Sequence, residues 1–369
     1  MSLVVAKIGS SSVTTSTGAI NASAVAKLCR EVAGLRQDGH RAVIVTSGAI
    51  AAGMPPLGLG PTRPARRELL RAAAAVGQIG LFRAFEEGLS HFGLLAGQVL
   101  LAPTDLMERH RYLGSRETLT ALLDLGVVPI VNENDAIADD EIKFGDNDRL
   151  SALVANLVDA DQLVLLTDTP GVFTADPRTD LHATLIEEIA EIDAAVEQLA
   201  GGTGSLIGTG GMASKLAAAK MATWSGVNTL IAAADRANVL GDSLLGTPGI
   251  GTVFPARNQH LSARKVWIAF AVPARGAIVV DTGARIALTE RGRSLLAAGV
   301  TNVDGSFDAD DPVDIAGPSG EVFAKGLASW PSGVIAENAG RRTSETPDGL
   351  ADAVVHRDRM VLLPAVTTG

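Results

Sequence analysis

The sequence predicts an α/β protein: a domain built on a mainly parallel sheet, then a small, mainly β module. Three observations carry this expectation. Over the first ~255 residues, short β-branched runs alternate with longer helical patterns, as strands joined by crossover helices do. Several of those runs are apolar throughout, which suits strands covered on both faces. Beyond Pro255 the runs shorten and are separated by Gly, Asp and Pro turns.

The first strand is expected at Leu3–Ile8, and Gly9, Ser10, Ser11 and Ser12 follow it. Lys7 either carries its charge to solvent at the strand end or adds a point charge beside an anion-binding nest of Gly and Ser amides. A helical pattern over Ser23–Gln37 leads to a strand over Ala42–Thr46, which runs through Ser47 and Gly48 into a helix start. No Gly-x-Ser-x-Gly elbow is present there. Small residues at that turn let a ligand approach the backbone at a helix N-terminus. The long pattern Arg66–Ser90 suits either core packing or an interface, and a strand over Gln98–Leu101 follows.

A helix over Arg116–Leu125 precedes a fourth strand, Val127–Val131, which Pro129 weakens because proline donates no ladder hydrogen bond. Asn132, Glu133, Asn134 and Asp135 come next. They form either a solvated loop or a grip for an ammonium or carboxylate at a strand's carboxyl end. Gly145, Asp146, Asn147 and Asp148 then open a helix over Leu150–Val158. Acidic groups there complement the helix dipole, yet a cap needs only one of the three polar groups.

A strand over Gln162–Thr167 ends at Thr167-Asp168, and turn chemistry alone explains Pro170-Gly171 and Asp176-Pro177. Helical patterns over Ile189–Leu199 and Ala213–Trp224 flank a glycine-rich stretch, Gly208 to Lys215, with a last strand at Thr229–Ala232. That stretch is not a Walker A loop, because Ser214 precedes Lys215 and the four-residue spacer is missing. It reads as a flexible loop or as a phosphate cradle with Lys215 at its end.

After Pro255 a connector with a short apolar element, Val266 to Ile268, is expected. Strand-like runs follow at Ala277–Val280, Ala284–Leu288, Val313–Ile315 and Glu321–Ala324. The acidic stretch Asp304 to Asp314 lacks EF-hand spacing and reads as a solvated loop.

Composition excludes several classes. Hydrophobic residues at 47% with 20% charge describe a folded chain rather than a disordered one. Aromatics at 4% leave the core to Ala, Val, Leu and Ile. A single cysteine, Cys29, forbids an internal disulfide and suits a reducing cytosol. No apolar run approaches the ~18 residues of a membrane span, and Lys7 interrupts the first one, so neither signal peptide nor membrane anchor is expected. The net charge of −10 argues against bulk attraction to nucleic acid. The six histidines show no metal-ligand spacing.

The segments Val45 to Ile50, Val131 to Asp135, Gly145 to Asp148, and Gly208 to Met212 with Lys215 together resemble the amino acid kinase family, specifically its glutamate-phosphorylating members. Each segment is weak alone, and their order and spacing are specific. The resemblance implies an αβα sandwich kinase domain over residues 1–258, a connector over 259–273 and a PUA-like domain over 274–369. It implies phosphoryl transfer from ATP to the side-chain carboxylate of L-glutamate, the first step of proline biosynthesis. Lys7 and Lys215 would flank the transferring group, with Asp148 organising them. Ser47, Asn132, Asp135 and Asn147 map onto glutamate-binding positions. Lys7, Gly9, Ser10, Thr167, Asp168, Thr209, Gly210, Gly211, Met212, Ala213, Ser214 and Lys215 map onto ATP-binding positions. Mg²⁺ would arrive on the ATP phosphates, with Asp146 and Asp148 as candidate protein contacts. The resemblance further implies proline as feedback inhibitor, a homo-oligomer, and hand-off of the acyl phosphate to glutamate-5-semialdehyde dehydrogenase. RNA binding through the PUA-like domain is the rival role, and the near-balanced charge of that module weighs against it. Another acid (acetylglutamate, aspartate or carbamate) is the rival substrate.

Overall fold

Leu3–Ile8 (β1) is the central strand of a seven-stranded sheet, and all six of its residues are buried. This is a computed structural model. It describes residues 1–60, 62–102, 105–106, 108–137, 147–177, 179–199, 211–257, 261, 263–271, 273–345, 347 and 350–363. The chain divides into two compact units, Met1–His260 and Leu261–Gly369.

In the first unit β1 is followed by Ser10–Val13 (α1), Ala22–Gln37 (α2), Arg41–Val45 (β2), Ala49–Gly53 (α3), Arg67–Ser90 (α4) and Ala96–Leu101 (β3). Then come Arg109–Asp124 (α5), Val128–Glu133 (β4), Asn147–Leu157 (α6), Gln162–Thr167 (β5), Ala194–Leu199 (α7), Met212–Trp224 (α8), Asn228–Ala233 (β6), Val239–Leu245 (α9) and Thr252–Phe254 (β7). The strand order is β3-β4-β2-β1-β5-β6-β7, parallel except for β7. The connection out of β1 goes to β2 on one side, while that out of β5 goes to β6 on the other. The sheet therefore reverses between β1 and β5, and ligands of open α/β sheets bind beyond the strand ends at such a point. Alternate strand residues point to opposite faces. Val4, Ala6, Ile8, Ile44, Ile130 and Val164 pack with α2, α4 and α9 in one core. The opposite face carries α5, α6 and α8, completing an αβα sandwich.

Pro129 sits in β4, an interior strand. The Val131 carbonyl accepts from Thr46 on the β2 side, and residues two apart in a strand face the same neighbour. Pro129 thus faces β2 as well, and pairing with β2 begins only at Ile130. Its missing donor falls where no ladder bond is required.

Several expected elements differ from those observed. Ile189 is not helical: its N–H donates to the Val253 carbonyl of β7, and the helix begins only at Ala194. The small helices α1, α3 and α9 and the three-residue β7 are too short for a periodic signal.

The second unit holds Ala263–Val266 (α10), a π-helical turn Trp267–Ala271, Gly276–Val280 (β8), Thr282–Thr289 (α11), Val300–Gly305 (β9), Pro312–Ala316 (β10), Val322–Leu327 (β11), Ser332–Asn338 (α12) and Met360–Leu362 (β12). Its five-stranded sheet runs β12-β11-β10-β8-β9, with only β8 and β10 parallel. The run Ala284–Leu288, expected as a strand, is helical. Asp281 caps it, its Oδ1 accepting from the Ala284 N–H at 2.6 Å. Val266 to Ile268, expected as an apolar element of the connector, forms the end of α10 and the start of the π-helical turn.

Candidate active site

Three elements bring charge to one buried point. Lys7 stands near the carboxyl end of β1, Asp148 in the first turn of α6, and Lys215 in the first turn of α8. The Lys7 Nζ lies 2.5 Å from Asp148 Oδ1 and the Lys215 Nζ 3.2 Å from Oδ2. Ser214 Oγ donates to the same Oδ2 at 3.1 Å. Exposure is 3% for Lys7, 0% for Asp148 and 5% for Lys215. Burial alone pushes the Asp148 carboxyl up, but attraction and hydrogen bonds from both lysines outweigh it and hold the group below its ordinary value. The carboxylate stays ionised, and the trio carries one net positive charge. The packing that creates this point is close: α6 has Ser151, Ala152 and Ala155 among its buried residues, and it lies against α8, β1 and β5.

Beside the charged trio runs a row of amides. Asn147 Nδ2 donates to the Thr46 carbonyl at 2.6 Å and to Asn132 Oδ1 at 2.7 Å. Asn132 Nδ2 donates to Gln78 Oε1 at 2.7 Å. Thr46 ends β2, and Ser47 and Gly48 lead into α3. Gly48 has φ +99°, and a β-carbon there would lie 3.1 Å from Val13 Cγ2, so the turn needs glycine. Asp135 is half-buried just past β4. With Gln78, Gln98, Glu133 and Asn134 it lines a cavity of about 450 Å³. Sequence reasoning missed Gln78. Its signal was a lone amide inside the alanine-rich run of α4.

Residues expected at the nucleotide lie on the β1–β5 side of this point. Gly9 caps α1 in extended conformation, with Ser10 as the first helical residue. A β-carbon at Gly9 would sit 3.7 Å from Lys7 Nζ, so the loop passes beside the ammonium. Thr167 is buried at the end of β5, and its hydroxyl donates to the exposed Asp168 carboxylate at 3.0 Å. Gly211 caps α8, with Met212 and Ala213 in its first turn. Asp146, Thr209 and Gly210 fall outside the described residues. Among the described residues no group of three His, Cys, Asp or Glu could hold a metal ion, and both Asp148 oxygens are engaged by ammonium groups. No described helix is long and apolar enough to cross a membrane.

Comparison with known proteins agrees with this architecture. The profile of the amino acid kinase family matches residues 2–233, and that of the PUA domain residues 276–350. The glutamate 5-kinase of Moorella thermoacetica is 47% identical, covering 98% of this chain and 96% of that protein. Those of Citrifermentans bemidjiense and Polaromonas sp. are 45% and 46% identical, over 98% and 97% of the chain and 97% and 96% of their own lengths. The chain belongs to the amino acid kinase family, and these three relatives, matched over nearly the whole chain, are glutamate 5-kinases.

Proposed function

We propose that this protein transfers the γ-phosphoryl group of ATP to the side-chain carboxylate of L-glutamate, giving L-glutamyl 5-phosphate, the first intermediate of proline biosynthesis. The observation that carries the reading is the single carboxylate bridging two buried lysines. A carboxylate acceptor is already a nucleophile, so the reaction needs no general base. What must be overcome is repulsion between two anions and the charge that spreads over the transferring group in line. Lys7 and Lys215 supply donors for that charge at a buried point, where fixed dipoles and charges act strongly. Asp148 spaces the two ammonium groups and offsets their mutual repulsion. Ser47, Asn132, Asp135 and Asn147 hold the amino acid. The loops at Gly9-Ser10, Thr167-Asp168 and Gly211 to Lys215 hold the nucleotide.

Mg²⁺ fits this site as a passenger on the ATP phosphates. It favours phosphate and water ligands over protein cages, and when bound it screens phosphate charge. Proline inhibition at a site overlapping that for glutamate, homo-oligomer formation, a cytoplasmic location, and transfer of the labile acyl phosphate to a dehydrogenase belong to the same proposal.

The test is hydroxamate formation with ATP, Mg²⁺ and hydroxylamine, comparing L-glutamate with N-acetylglutamate, aspartate and carbamate, with and without L-proline. Glutamate-selective product lowered by proline is expected. Product only with another acid would replace the substrate and keep the site.

A further inference from the structure

The geometry points to Gln78 as a positioning residue that sets the polarity of the amide row and thereby makes the site select an amino acid over the matching plain diacid. Two backbone groups fix which way each amide faces. The Glu133 N–H can only donate, and Asn132 Oδ1 accepts it at 2.9 Å. The Thr46 carbonyl can only accept, and Asn147 Nδ2 donates to it at 2.6 Å. The second Asn147 N–H goes to Asn132 Oδ1. Asn132 must then turn Nδ2 toward Gln78, which answers with Oε1. The row is directional from α6 through β4 to α4, and Gln78 is its end.

This polarity decides what Asn147 can recognise. A primary amide has two N–H donors, and both are spent on Thr46 and Asn132. What Asn147 has left to offer a ligand is its carbonyl Oδ1, an acceptor. Of the polar groups on an α-amino diacid, only the ammonium is a donor. Asn147 therefore reads the ammonium, the group that a carboxylate such as Asp135 is also suited to pair with. Without the Gln78 oxygen, Asn132 Nδ2 becomes a buried donor with no acceptor. Such a group repartners or drags its neighbours out of line, which releases Asn147 to rotate. Gln78 is 8% exposed and sits deep in α4 against α3. It touches none of the charged trio, so it acts through Asn132.

The inference rests on the proposed glutamate chemistry, and its test separates the two. Hydroxamate kinetics are run on the full chain with L-glutamate and with glutarate, the same diacid without the ammonium. Gln78→Leu is expected to raise the KM for glutamate about tenfold, the effect of one lost buried hydrogen bond. The KM for ATP stays unchanged, and the preference for glutamate over glutarate shrinks by the same factor. Gln78→Glu keeps an acceptor for Asn132 and retains most of that preference. A Gln78→Leu protein that loses activity with both acids in equal proportion, or keeps its preference, overturns the inference and leaves Gln78 a packing residue. So does a Gln78→Glu protein that loses the preference as fully as Gln78→Leu. Should Gln78→Leu lose its cooperative melt, Gln78→Met carries the same comparison. Wild-type protein giving no product with glutamate would instead sink the proposed function.

Discussion

At Asp148 one carboxylate with no exposure holds two lysines that are themselves almost fully buried. Buried ions are costly unless paired, so Asp148, which pairs with both lysines, is the member whose loss strands a charge. Lys7→Ala or Lys215→Ala each leaves a one-to-one ion pair that the fold tolerates. Each is expected to lower kcat by ~10²–10³, the usual loss of one donor at a developing charge, with a small shift in Tm. Near-normal turnover in either variant would remove the assigned role. Asp148→Asn leaves two ammonium groups facing each other without an anion. It should cost ~3–5 kcal/mol of stability as well as activity, read by urea unfolding. The pH dependence follows from the depressed folded-state pKa. Asp148 contributes stability that is present above the unfolded aspartate value of ~3.9 and is lost as pH falls through its lower folded value. The stability gap between wild type and Asp148→Asn should therefore hold from neutral pH down to that range and close only below it. Unfolding curves across pH 2–7 would measure it, and a gap that closes near neutrality would contradict the ion trio.

The helices α3 and α4 pack at glycines, and that contact positions both the Ser47-Gly48 turn and Gln78. A β-carbon on Gly77 would lie 1.9 Å from the Ala49 carbonyl oxygen and 2.4 Å from the Gly53 nitrogen. Neither backbone atom can move without separating the helices. Gly77→Ala is expected to cost at least ~3 kcal/mol, the upper end of overpacking penalties. Gly34→Ala is the control: a β-carbon there meets nothing within 4 Å in the last turn of α2, so it should stabilise by ~0.4–1 kcal/mol. Thermal melts of the pair that move in the same direction would refute the packing argument.

At this scale the sequence was most legible where period and length agreed. β1 and β5 run over the residues expected, and the ends of α2 and α4 fall within one residue. It was least legible where tertiary context decided. Ile189 was drawn into extended pairing beside β7, and Asp281 turned Ala284 to Leu288 into helix. The charged residues of the site could be read because Lys7 interrupts an apolar strand, Asp148 stands directly before an apolar helical run, and Lys215 closes a glycine-rich stretch. Gln78 could not, because its partner Asn132 is 54 positions away and a lone amide in α4 does not say what it meets.

Across the whole molecule, each unit has a core cluster of its own. The sheet core of Met1–His260 draws on β1 to β7 and its helices, whereas Ile278, Val313, Ile315, Phe323 and Trp330 form a second core among residues of the C-terminal unit alone. Every residue assigned to phosphoryl transfer or substrate binding lies between Lys7 and Lys215, inside the first unit. A chain of that length buries enough surface to fold alone. The fragment Met1–His260 is therefore expected to melt cooperatively and to keep glutamate-dependent hydroxamate formation within about tenfold of the full chain. The net charge of −10 further predicts that the full chain shows no tight, salt-dependent RNA binding. Circular dichroism melting, the hydroxamate assay and an RNA titration at two salt concentrations test these together. A fragment that folds but is inactive would mean that the C-terminal unit contributes to catalysis. An active fragment paired with RNA binding by the full chain alone would place a second function in the PUA domain.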